Sequence, residues 1–249
     1  MSNHNMNNSS LITGYIVYTL KTPDGKDILR GVKHFDSFVR NFMVMIESVL
    51  LGQHSRFTLP PYSNATDVTG ASVQLGRPSP PSGSSGGSSG DPYFGWSIVA
   101  DAGDRLEFFG LPTDWGILVG SGDSPTTINF WKLESPYPHG RTVGSMNYMS
   151  SNITEPVFDG SYVRFDIKRI IINESDATQI VREVGLVGLE YRTRNKFLFA
   201  RDVITPPISM PPKSMLEITI VLAGLLAPLN IFFRRDAGVG TDSSIRSII

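Results

Sequence analysis

From Trp96 onward the chain is written as short apolar runs set roughly 8–15 residues apart and divided by Gly, Pro, Asn or Asp. That spacing is too short for helix pairs and is the rhythm of β-sandwiches and barrels, in which each strand ends at a turn before it can lengthen. The runs at 95–100, 105–109, 116–120 and 126–131 read as strands. Residues 162–167 alternate apolar and polar with period two, and Ile170-Ile171-Ile172 leads into Asn173-Glu174-Ser175-Asp176, so residues 180–190 are expected to return as a hairpin partner. Residues 196–204 and 215–222 are two further strands. Pro206, Pro207, Pro211 and Pro212 lie between them and predict a long crossing loop, because proline cannot donate to a ladder.

The N-terminal part adds one strand, one turn and one helix. After a polar arm, 15–20 is β-branched and aromatic, and Thr22-Pro23-Asp24-Gly25 is turn chemistry. Asp36 or Ser37 can cap a helix over about 36–51, whose apolar stripe is Phe38, Val39, Phe42, Met43, Ile46, Val49 and Leu50, with Gly52 as the stop. The stripe reads as core packing. Gly (24) and Pro (17) together make about a sixth of the 249 residues, which disfavours a helical bundle. Many of them fall in 78–90, where only Pro, Ser and Gly occur, and 77–92 is expected to be a flexible surface loop. The expected organisation is an arm over 1–14, one domain over 15–233 and a tail over 234–249. The fold class is mainly β, an antiparallel jelly-roll-like sandwich with one short amphipathic helix and long surface loops.

Inventory narrows the chemistry. With no cysteine, disulfides, thiolate metal sites and a cysteine nucleophile are out of reach. A net charge of −1 gives no field that would draw in a phosphate backbone, so no nucleic-acid partner is expected. The charge-free stretch 218–233 is shorter than the roughly 20 residues a membrane-spanning helix needs and starts as a strand, so no span is expected. The start lacks the basic and apolar regions of a secretory signal, which points to synthesis in a cytoplasm. The sequons at Asn7, Asn8, Asn64, Asn152 and Asn173 then read as chance matches.

No catalytic pattern emerges. His4, His34, His54 and His139 show no ligand spacing. Asp101, Asp104 and Glu107 could approach around a loop, but a turn explains them equally well. Gly83 to Gly90 matches G-x-S-x-G twice without the strand and helix of a nucleophile elbow. Gly120-Ser121-Gly122-Asp123-Ser124 lacks the ending of a phosphate loop and reads as a tight turn. Arg192, Arg194, Lys196 and Arg201, beside Tyr191 and Phe197, read as a solvated hairpin tip or a charged protein interface. The expectation is no enzyme, no cofactor and no metal.

Three stretches taken together resemble a known group. Gly116-Ile117-Leu118-Val119-Gly120-Ser121-Gly122 with Lys132-Leu133-Glu134-Ser135-Pro136 is the first. Asn173-Glu174-Ser175 leading to Glu183-Val184-Gly185-Leu186 is the second, and Leu198-Phe199-Ala200-Arg201-Asp202-Val203 running to Leu216-Glu217-Ile218-Thr219-Ile220 is the third. In this order, with the helix segment Ser37-Phe38-Val39-Arg40-Asn41-Phe42, the chain resembles virion structural proteins of tailed bacteriophages and related viruses. The resemblance implies a particle component located in the virion, assembled with copies of itself and other virion proteins, and transfers no catalytic residues. The expected contacts between subunits lie in Leu225, Leu226, Leu229, Ile231, Phe232 and Phe233 and in Ile245, Ile248 and Ile249 of the tail. Two other classes stay open: a fibre module binding a host-surface glycan through exposed Trp96, Trp115 and Trp131, and a hydrolase with paired carboxylates.

Overall fold

The computed structural model describes residues 12–35, 37–51, 64–74, 106–107, 114–159, 162–190 and 194–225. Within them the chain is mainly antiparallel β. The strands are β1 (Ile12–Lys21), β2 (Asp27–Phe35), β3 (Asn64–Thr66), β4 (Ser72–Gln74), β5 (Leu106–Glu107), β6 (Gly116–Gly120), β7 (Asn147–Tyr148), β8 (Asn152–Ile153), β9 (Val157–Asp159), β10 (Tyr162–Ile172), β11 (Gln179–Glu190), β12 (Lys196–Met210) and β13 (Met215–Leu225), with helix α1 at Arg40–Leu51. One sheet runs β2-β1-β13-β10, with β7, β8 and β9 each pairing short lengths of β10. The second runs β12-β11-β5, with β6 also on β11. The pairing is nested, β11 with β12 inside β10 with β13, as in the winding of a jelly roll.

The alternation of each strand explains why the two sheets stack. Ile16 and Leu20 of β1, Ile167 and Ile171 of β10 and Leu216, Ile218 and Ile220 of β13 form the inner face of one sheet. They meet Ile117 and Val119 of β6, Val184 and Leu186 of β11 and Ala200 of β12 in one core cluster. Polar groups tie the layers together as well. The buried Arg169 of β10 donates to the carbonyls of Met149, Trp115 and Ile117, and its burial lowers the guanidinium pKa to about 10. Tyr148 donates its hydroxyl proton across to the carbonyls of Val119 and Tyr137. Lys33 of β2 pairs with Asp202 of β12.

Several expectations change. The strand at 180–190 is not the partner of 162–172: β10 pairs with β13 and β11 with β12, so Asn173 to Thr178 crosses between the sheets. The cause is the Asn173 side chain, fully buried, whose amide donates to the carbonyls of Ala177, Met210 and Pro211 and fastens this crossing to the neighbouring one. Pro206 and Pro207 do not end the strand; β12 runs through them, with a cis Thr205–Pro206 bond. Register slips between Val181↔Ile208 and Glu183↔Val203, leaving Ile204 to Pro207 opposite Arg182 alone, a bulge where no ladder donor is required. Pro211 and Pro212 do lie in the connection to β13.

The helix begins at Arg40, not at 36 or 37. Residues 37–39 are held extended along the open side of β12, with the Val39 amide on the Phe199 carbonyl and the Arg201 amide on the Ser37 carbonyl. On α1, Met43 of the expected stripe is 57% exposed while Asn41 is buried, its amide bonded both ways to the Thr66 backbone. Val44 packs with Phe197 and Phe199 in a small second cluster. The run 126–131 is irregular, not a strand. The first strand starts at Ile12, and the turn after it holds Gly25 at φ 83°, which favours glycine. Among the described residues no helix is long and apolar enough to cross a membrane, and the first part of the 218–233 stretch is the C-terminal part of β13. The loop 77–92 and the strand at 95–100 lie outside the described residues.

Candidate functional site

The motif segments, scattered over more than eighty residues of sequence, meet at one buried ion pair. Glu183 on β11 and Arg201 on β12 are both fully buried, and Arg201 Nε donates to Glu183 Oε2 at 2.7 Å. Burying a charge pair is costly unless every remaining donor and acceptor is also satisfied. Here they are. Glu183 Oε1 accepts from the amides of Ser135 at 2.7 Å and Gly122 at 3.3 Å, and Oε2 also accepts from the amide of Glu134 at 3.0 Å. Arg201 Nη1 donates to the Ser124 carbonyl at 2.8 Å and to Thr126 Oγ1 at 3.3 Å, while Nη2 reaches Glu134 Oε2 at 3.3 Å. The guanidinium lies 4.2 Å from the centre of the Phe130 ring, a cation–π contact.

The neighbouring residue types follow from this geometry. A Cβ on Gly120 would overlap both the Ser135 carbonyl oxygen and Glu183 Oε1, and one on Gly122 would lie 2.6 Å from Glu134 Cβ. At Gly185 it would lie 2.7 Å from Leu133 Cδ2. Gly120 at the end of β6 and Gly122 just beyond it therefore let residues 120–135 close over the carboxylate. Glu134 fixes the same loop from outside, accepting from the Ser124 amide at 2.9 Å and hydroxyl at 2.6 Å. The Ser124 hydroxyl first, then its amide and the Arg201 charge, hold the Glu134 carboxyl below the usual range. Proton donation to a leaving group needs the opposite shift.

Arg201, expected at a solvated hairpin tip, is instead fully buried opposite Gly185, covered by Ser124, Phe130 and Glu134 on the face of β12 turned away from the other sheet. Phe197 is fully buried and has no face for a base to stack on. Arg194 is exposed beside Trp115, 5.3 Å from its ring, and Lys196 pairs with Asp114. Trp115 is only 8% exposed, and Trp131 is half-buried. Trp131 lines a shallow groove of about 330 Å³ with Thr127, Asn129, Phe130, Lys132 and Glu134. Lys132 Nζ stands 4.7 Å from that ring's centre. His139 is exposed and accepts from the Tyr148 amide through Nδ1, and His34 Nε2 bonds Thr13 Oγ1. The sequon residue Asn173 is buried and bonded through both amide atoms, whereas Asn152 is exposed.

No group of His, Asp and Glu among the described residues is arranged to hold a metal ion. Asp101, Asp104 and Trp96 lie outside those residues. Of the expected subunit contacts, Leu225 ends β13 opposite Tyr162; Leu226, Leu229, Ile231, Phe232, Phe233, Ile245, Ile248 and Ile249 lie outside. The chain matches no family model, no curated protein and no solved structure.

Proposed function

We propose that this chain is a non-enzymatic structural component of a virus particle, working in many copies. The observation that carries the reading is the use made of the motif residues. Those by which the chain resembles virion structural proteins, Gly120, Gly122, Glu134, Ser135, Glu183 and Arg201, are spent on one saturated framework joint. A joint whose carboxylate already takes four donors is suited to rigidity and has no free valence for a substrate. A rigid sandwich with long excursions is what repeated assembly requires.

Contacts between copies are assigned to 225–233 and 245–249, where apolar residues are concentrated in the sequence. The test is to express the full chain, follow its mass by sedimentation and image it. Rings, tubes or shells are expected; a monomer at every concentration and salt overturns the reading. Deleting 234–249 is expected to impair assembly while leaving the melting temperature unchanged. A second reading, glycan recognition, draws support from the groove beside Trp131. It requires that Trp131→Ala abolish binding on a glycan array, and an array without signal removes it.

A further inference from the structure

Sheets that end in a long bare strand offer a template to other chains, and folded proteins cover, break or charge such edges. Among the described residues this protein treats its edges unequally. Ser37 to Val39 lie along β12, and the far side of β10 is met by three strands of two or three residues each. β2 is different. It is nine residues long, is bonded to β1 on one side, and has no described strand on the other. Its exposed residues include Ile28, Leu29 and Val32, at 48%, 40% and 69%.

We propose that β2 docks on β2 of a second copy of this chain, antiparallel, about a two-fold axis passing between the two Arg30 residues. The inference rests on the structural reading above and names the surface through which two copies first join. Register decides the occupant. With Arg30 at the axis, Ile28 of each copy faces Val32 of the other, Asp27 faces Lys33, and Leu29 lies across Gly31, over which the ring of Tyr18 already lies. Apolar thus meets apolar and acid meets base on both sides of the axis. An axis at Gly31 would set Leu29 against Lys33 and Asp27 against Phe35; an axis at Leu29 would set Ile28 against Arg30. The two facing Arg30 guanidiniums are each neutralised by their own Asp27, with Nε to Oδ2 at 2.8 Å. The second copy's Asp27 would join Asp202 around Lys33, whose side chain is 34% exposed.

Because the chain has no cysteine, single substitutions report the register without background. Residues directly opposed in an antiparallel pair have Cα atoms about 4.5–5.5 Å apart, within disulfide reach. Arg30→Cys is expected to oxidise to a covalent dimer, while Ile28→Cys and Val32→Cys each stay uncrosslinked alone and crosslink when mixed. Val32→Lys is expected to lower the association constant at least tenfold with an unchanged circular dichroism spectrum. Equal crosslinking at 28, 30 and 32, or none at 30, overturns the proposal. Large assemblies that form although Arg30→Cys does not crosslink would remove the edge and keep the particle role. A crosslinked dimer that never grows would keep the edge and remove the role.

Discussion

Replacing Glu183 with Gln tests whether the buried joint holds the sandwich together. The side chain keeps its shape, but one acceptor oxygen becomes an NH2 group. Whichever way the amide turns, two of four donors lose their partner: either the Ser135 and Gly122 amides, or the Glu134 amide and Arg201 Nε. Each buried donor left unmatched costs about 1–3 kcal/mol. Breaking one side of a buried ion pair costs about 3–5 kcal/mol by a separate route, and the two ranges overlap near 4. In a domain of this size that is a fall of about 8–16 °C in Tm. With a urea slope of about 3 kcal/mol per M the midpoint moves down by about 1.3 M. Urea unfolding followed by the fluorescence of the buried Trp115 measures it. Adding Arg201→Met should cost less than the sum of the two single changes, by roughly 1–3 kcal/mol of coupling. A Glu183→Gln loss below about 1 kcal/mol, or strict additivity, refutes the reasoning.

Three other outcomes follow from the same structure. Gly120→Ala forces its new methyl into the Ser135 carbonyl and Glu183, and a loss of roughly 1–3 kcal/mol is expected in thermal melts. Asn173→Ala strips a buried group of bonds to three carbonyls and to Ser175 and Gln179, costing about 2 kcal/mol or more by urea midpoint. Glu217 is lowered by its hydrogen bond to Lys168 and by Lys21, against the pull of partial burial, and Glu134 is lowered by Ser124. Depressed carboxyl values give stability that is complete above the ordinary value of 4.5 and is lost as pH falls through the folded-state values. Unfolding midpoints should therefore drop below about pH 4.5, and Glu217→Gln should flatten part of that slope.

The strand content was legible because period two and turn residues act locally: Gly25 and the alternation at 162–167 needed no partner to be seen. Pairing was not legible. Whether 180–190 folds back on 162–172 depends on a side chain, Asn173, that bonds to residues near 210, and no local pattern encodes that distance. Pro206 and Pro207 misled because the rule against proline in strands assumes a regular ladder, and the bulge opposite Arg182 suspends it. Arg201 looked solvated because its sequence neighbours are charged; its burial depends on Glu183, Ser124 and Glu134. A signal was present: Gly120, Gly122 and Gly185, none of which has positive φ here, mark close approach and not turning.

The position of β1 has a consequence for synthesis. Ile16 of β1 sits opposite Ile220 of β13, so the inner side of the first hairpin finds its partner only when the last described strand has been made. At about 5–20 residues per second the hairpin waits on the order of 10–40 s with both of its long sides bare. Prematurely terminated chains would keep that state permanently. The nascent chain is thus adhesive until β13 emerges, which favours slow, non-local folding and makes holding by chaperones, or prompt pairing with β13, the step on which yield depends.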